Sequence, residues 1–158
     1  MPAAEGRVAV YLEEILPGTR FATSRRTVTE ADIATFAGVS GDFNALHVDE
    51  VFAREETPFG GRIAHGPLVL GISYGLRSVR DDWKILALAS CERSFRAPVF
   101  PGDTVWGEYE VLDSRASRSR PGAGFVTLGV SIHSDRGEVV QEGRDVLMVA
   151  TRPSGAAR

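Results

Sequence analysis

The stretch "GGRIAHGPLVLGISYGLRS", residues 60–78, decides the fold. Its Gly66-Pro67 pair suits a helix start, because proline is tolerated in a first turn whose N–H groups have no partner anyway. Beyond it Leu68, Val69, Leu70, Ile72, Tyr74 and Leu76 place apolar surface on nearly every face. A helix apolar all round is a buried helix, so the pattern predicts one from Gly66 to about Arg80. Gly71 and Gly75, one turn apart, weaken that helix. They predict that a sheet or a partner helix comes close along their stripe.

A buried helix needs a surface to lie on. After Trp83 the pattern changes to "KILALASCERSF", "DTVWGEYEVL", "GFVTLGVSIHS" and "EVVQEGRDVLMVAT", valine-rich and alternating in part. Pro101-Gly102 and Arg136-Gly137 mark turns between them. The segment "DSRASRSRPGAG", residues 113–124, reads as a low-complexity loop. Four strands in succession predict an antiparallel meander. The resulting class is α+β, a long central helix wrapped by a curved antiparallel β-sheet.

Upstream, "RFATSRRTV" reads as a strand leading into "TEAD", a capping-box pattern with Thr29 and Asp32. Ile33, Phe36 and Ala37 share a face, which predicts a short amphipathic helix over 29–37 ended by Gly38, Ser40 and Gly41. A second helix, "DEVFAREE", starts at Asp49 as N-cap and stops before Pro58. Between the two lies "SGDFNALHVDE", residues 40–50, with Asp42, Asn44 and His47 close together. On residue types alone these side chains either cap a turn or form an acid–base pair with its orienting partner.

Composition narrows the classes. The 158 residues suit one domain over 1–152 and a disordered tail over 153–158. No apolar run is long enough to cross a bilayer, and the amino terminus lacks a signal-peptide pattern, so cytoplasm is the default expectation. Cys91 is the single cysteine; it excludes an internal disulfide and reads as a small core residue. A net charge of −3 gives no general attraction to nucleic acid. Lys84 is the only lysine among 18 basic residues, a bias that a G+C-rich genome would also produce. His133 lies in a strand pattern and reads as structural, and His65, just before Gly66, as a supporting or packing residue.

This architecture is the hot-dog fold, and three blocks resemble the (R)-specific enoyl-CoA hydratases and MaoC-like dehydratases. "SGDFNALHVDEVFA" is similar to their motif Gly-Asp-x-Asn-Pro-(Leu/Ile)-His, with Ala45 where proline is usual. "FGGRIAHGPLVLG" resembles the segment opening the central helix, and "RSFRAPVFPGDTV" the strand-and-turn signature. The resemblance implies reversible hydration of a trans-2-enoyl thioester to an (R)-3-hydroxyacyl thioester. Asp42 would then act as base on water, His47 would hold that water and share in proton delivery, and Asn44 would orient the loop or the water. The oxyanion donor would be the Gly66 backbone N–H, where a helix start favours negative charge. Phe36, Phe43, Phe59, Leu70 and Ser73 are candidate pocket residues.

Coenzyme A or phosphopantetheine enters as part of the substrate, and no separate cofactor is expected. A metal held by His47, Asp42 and Asp49 is open on residue types alone, but no other histidine has motif-like spacing with them, and none is expected. The implied partners are an acyl thioester, an acyl-carrier protein, and a second copy of the chain in a homodimer, which would cover a sheet edge. Two rivals remain: a hot-dog thioesterase, which needs a carboxylate aimed at the thioester carbonyl, and a non-catalytic acyl-thioester-binding subunit.

Overall fold

The computed structural model describes residues 8–153; the expected tail lies, beyond Pro153, outside the described residues. Two short strands, β1 (Arg20–Ala22) and β2 (Arg26–Thr27), come first, followed by helices α1 (Glu30–Ser40), α2 (Ala45–Val48), α3 (Glu50–Glu55) and α4 (Gly66–Gly75). Four long strands complete the chain: β3 (Ile85–Phe95), β4 (Thr104–Ala116), β5 (Ala123–Ser134) and β6 (Val139–Ala150). All six strands form one antiparallel sheet in the order β1-β4-β5-β6-β3, with β2 also on β4.

Side-chain periodicity explains how the sheet meets the helix. Along β5, Val126, Leu128, Val130 and Ile132 are buried while their neighbours are half-exposed, the period-2 pattern of a strand with one face on a core. Leu68, Val69, Ile72 and Leu76 complete that core from the helix side. The central helix is therefore buried on its sheet-facing side only. Pro67, Gly71 and Gly75 form an exposed stripe, and no heavy atom lies within 4 Å of where a Cβ on either glycine would sit. The expected close approach along these glycines does not occur among the described residues.

The helix is also shorter than its apolar run predicts. After Gly75 the backbone turns extended at Leu76, and Arg77 exchanges bonds with Ser24: Ser24 N–H donates to the Arg77 carbonyl at 2.7 Å, and Arg77 N–H to Ser24 Oγ at 3.0 Å. A 3-10 turn over Val79–Asp82, capped by Ser78, then leads to β3. Tertiary bonds thus end the helix before its hydrophobic pattern does. The reverse holds for α1, which passes through Gly38 and stops only where Gly41 takes φ +76, a left-handed conformation suited to glycine. Its start is the expected capping box at Thr29 and Asp32.

The meander holds for three strands, not four. β3 pairs with β6, from Ile85 opposite Val149 to Phe95 opposite Gln141, and not with β4. The connection after Phe95 carries Pro98 and Pro101 and is too long for a tight hairpin, so it carries the chain across the sheet. As a result β3 lies at the edge, and ten of its eleven residues are exposed. Cys91 is among them, exposed and not in the core. Half of the polar segment 113–124 is strand: β4 and β5 pair out to Ala116 opposite Gly124, leaving a turn over 117–122. Its arginines mark the solvent-facing end of a long hairpin. The strand expected at "RFATSRRTV" is broken at 23–25 into β1 and β2.

Candidate active site

The polar block is built by local capping. Asp42 N–H bonds Ser40 Oγ at 3.2 Å, and Asn44 N–H bonds Asp42 Oδ1 at 3.2 Å. Asn44 in turn caps α2, its Oδ1 accepting the Leu46 N–H at 3.0 Å. Ala45 is the first residue of that turn, a position where the family's proline would also fit; alanine, a strong helix former, keeps the turn intact. The turn brings His47 round to face inward, 9% exposed, while Asp42 remains exposed.

Longer-range bonds then fix the chemistry. His47 Nδ1 lies 2.8 Å from the Ile63 carbonyl, and His65 Nε2 lies 3.0 Å from the Asp42 carbonyl. A carbonyl only accepts, so each bond assigns a proton to the ring nitrogen involved. A neutral His47 therefore keeps its Nε2 lone pair as a base or acceptor, and His65 keeps that of Nδ1. The two imidazoles stack with centroids 3.8 Å apart. One ligand-type atom from each of Asp42, His47 and His65 falls within 4.8 Å of the others.

These residue types can bind a divalent cation, and the third member is His65 where the sequence suggested Asp49. Asp49 instead caps α3 through its bond from Phe52 N–H. His65 Nε2 is engaged by a carbonyl, and the two rings lie face to face instead of converging edge-on.

Beside His47 lies a cavity of about 430 Å³, largely apolar, lined by Phe59, Ile63, Gly66, Val69, Phe95 and Gln141 among others. It reaches the start of α4, where unpaired N–H groups and the helix dipole favour an anionic oxygen. A wider hollow of about 1010 Å³ sits elsewhere, lined by Arg20, Glu92, Glu108, Glu110, Glu142 and Arg144 among others. His47 and Gly66 line the apolar cavity and not this hollow, so the apolar cavity is the candidate site.

The family model described as MaoC like domain matches residues 14–132. The chain belongs to the MaoC-like family. It is 34% identical over 150 residues to the (R)-specific enoyl-CoA hydratase of Rhodospirillum rubrum, covering 95% of this chain and 99% of that protein. To Protein MaoC of Klebsiella aerogenes it is 42% identical over 96 residues, which is 60% of this chain and 28% of that much longer protein. The crystal structure of the MaoC-like dehydratase from Rhodospirillum rubrum superposes with a TM-score of 0.80 at 34% identity, covering 92% of this chain and 99% of that one. The architecture they share is the hot-dog fold. Among the described residues, no helix is long and apolar enough to cross a membrane.

Within this MaoC-like chain His47, Gly66 and Phe59 line the cavity together, Asp42 stands beside His47 without lining it, and Asn44, the α2 cap, and the other candidates lie outside it. Phe43 is 63% exposed at the loop tip. Phe36 packs against His65 with ring centroids 5.0 Å apart and borders a smaller cavity along the Gly71–Gly75 stripe. Ser73 is fully buried, its hydroxyl donating to the Leu70 carbonyl at 2.7 Å, and neither it nor Leu70 lines the main cavity.

Sequence reasoning missed Phe95 and Gln141. The Phe95 ring fills the space that a side chain at Gly66 would take, its nearest carbon 2.6 Å from an ideal Cβ. Gln141, 2% exposed, donates from Nε2 to the Gly66 carbonyl at 2.9 Å. An isolated glutamine in a valine-rich strand was the one available signal. Also missed was a buried cluster behind α4: Tyr74 OH and Arg93 both bond Asp145, at 2.9 and 2.8 Å. Burial, with the Cys91 thiol and the Asp145 carboxylate nearby, pushes the Tyr74 hydroxyl well above the usual phenol range. Burial opposes the charge on Arg93, but the Asp145 carboxylate outweighs it and raises that pKa. His133 in β5 stacks on Trp106 of β4, away from the site.

Proposed function

We propose that this MaoC-like chain is an (R)-specific hydratase/dehydratase, interconverting trans-2-enoyl and (R)-3-hydroxyacyl thioesters of coenzyme A or an acyl-carrier protein. One observation carries the reading: the Asp42 carboxylate lies close to the His47 imidazole, and His47 lines an apolar cavity that ends at the α4 N-terminus. In the hydration direction a water lies between Asp42 and His47 Nε2, and its oxygen bonds the β-carbon. The proton it loses is held on the Asp42–His47 pair and returned to the α-carbon. One water thus supplies both hydroxyl and hydrogen. Charge that builds on the thioester oxygen meets the Gly66 N–H, and a preorganised donor of this kind contributes about 3–4 kcal/mol to such a transition state. The proposed steps use only protein groups and the thioester itself, with no metal or separate cofactor.

The working unit in this reading is a homodimer. The edge strand β3 exposes Ile85, Leu86 and Leu88 together with its unpaired backbone, and an unprotected apolar edge of this kind is a pairing surface. A second copy pairing there would cover it.

Loss of enoyl-thioester absorbance with crotonyl-CoA and a longer enoyl-CoA tests the activity, with Asp42→Asn and His47→Gln run beside wild type. The expected outcome is formation of the (R)-alcohol by wild type and a loss of about 10²-fold or more in each folded variant, in line with the usual contribution of a positioned acid or base. Variants as active as wild type would sink the mechanism. A wild type that binds these thioesters without turning them over would point to a non-catalytic acyl-thioester-binding subunit, and release of free thiol to a thioesterase.

A further inference from the structure

We infer that His65 is a positioning residue that ties the base-bearing loop to the start of the central helix. The loop around Asp42 is exposed, and most of its own bonds run to neighbours within a few residues: Ser40 Oγ to Asp42 N–H, the Gly41 carbonyl to Phe43 N–H, and Asp42 Oδ1 to Asn44 N–H. Such local bonds shape a turn but do not place it against the rest of the molecule. Among the described residues, the long-range hydrogen bond to Asp42 comes from His65 Nε2, across 23 positions of sequence.

The anchor end is rigid. His65 is 1% exposed. Its own carbonyl accepts the first bonds of α4, from Leu68 and Val69 N–H at 3.0 and 3.2 Å, and the preceding Ala64 N–H is held by the Val99 carbonyl at 2.7 Å. The ring stacks on His47 and packs against Phe36. The residue after it is Gly66, the proposed oxyanion donor. One side chain therefore sets the spacing between the residue that handles water and the backbone that receives charge.

The bond also demands one tautomer. Because the Asp42 carbonyl can only accept, His65 carries its proton on Nε2. Nδ1 is buried without a hydrogen-bond partner, and the Nε2 proton is committed to the Asp42 carbonyl, so His65 acts through Asp42, not on the substrate.

Two substitutions separate the tether from mere packing. His65→Gln places an amide donor where imidazole Nε2 sits but gives up the ring stack. His65→Phe keeps the stack but removes the donor. On the hydratase reading, on which this half of the test rests, His65→Phe lowers kcat by about ten- to a hundredfold, the scale of a misplaced reacting group. KM stays within a factor of about two, since the cavity walls are untouched, and His65→Gln retains most of kcat. Full activity in His65→Phe overturns the inference, as does equal impairment of both folded variants or a larger loss in His65→Gln.

Nitrogen NMR of the wild-type imidazoles gives a second readout that needs neither turnover nor a folded variant. A slowly exchanging Nε2 proton on His65 supports the tether, and an Nδ1-protonated ring overturns it. If wild type proves inactive, the hydratase reading fails while the tautomer result still decides the tether.

Discussion

Removing the Asp145 carboxylate should destabilise the protein more than any single change at the candidate site. The side chains of Arg93 and Asp145 are 3% and 0% exposed and meet at 2.8 Å, behind the helix and away from the cavity. Asp145 also accepts the Tyr74 hydroxyl at 2.9 Å. In Asp145→Leu the guanidinium remains buried without its counter-charge, a situation that costs about 3–5 kcal/mol. For a domain of this size, roughly 2–4 °C of melting temperature goes with each kcal/mol, so a fall on the order of 10 °C is expected. Tyr74→Phe gives up one hydrogen bond, about 1 kcal/mol.

The double variant Arg93→Met/Asp145→Leu removes both charges and should recover most of the loss, because apolar replacements of a whole buried pair are often neutral or better. Urea unfolding followed by tryptophan fluorescence, at one fixed protomer concentration, measures all four proteins. A loss below about 1 kcal/mol in Asp145→Leu would refute the argument, as would a double variant no more stable than Asp145→Leu. The same cluster has an alkaline signature. The folded-state pKa of Tyr74 is raised, so its contribution is complete below the unfolded value of about 10 and declines as pH rises beyond it. Tyr74→Phe should lack that decline.

At the other end of the pH range, the depressed pKa of Asp32 makes a smaller test. Burial acts against its charge, but bonds from Thr29 and the nearby Arg26 guanidinium outweigh it. The capping box is therefore fully present above the unfolded value of about 3.8 and is lost as pH falls through the lower folded value. Asp32→Ala should cost about 1 kcal/mol at pH 7, with the difference from wild type closing below pH 3.8 in acid unfolding curves. Gly66→Ala should separate folding from function. The new methyl meets the Phe95 ring at 2.6–3.1 Å, and that residue is 57% exposed and free to swing aside. Melting should change by only a few degrees, an effect of about 1 kcal/mol, while hydration of crotonyl-CoA falls because the displaced ring crowds the helix N-terminus; unchanged turnover would refute the oxyanion assignment.

Features readable from the chain were those set by neighbours in sequence. Capping at Thr29, the helix start at Gly66-Pro67 and the alternation of β5 all arise from contacts within a few residues, and each appears where its pattern predicts; the Asn44 cap of α2 decides a choice the residue types had left open. The Gly-Asp-x-Asn…His spacing likewise keeps Asp42 and His47 near each other, because Asp42 lies two residues before the Asn44 cap and His47 in the single turn that follows it. Decisions between distant segments left no such trace. β3 pairs with β6 because its exit loop is too long and too proline-rich for a hairpin, which exposes Cys91. The central helix stops at Gly75 because Arg77 finds Ser24, not because its apolar run ends. Gln141 and Phe95 reach Gly66, Asp145 gathers Tyr74 and Arg93, and His65 reaches Asp42, all across sequence separations that no local period encodes. A hydrogen bond or ion pair between remote residues depends on how the sheet curls around the helix, and only the folded chain sets that distance.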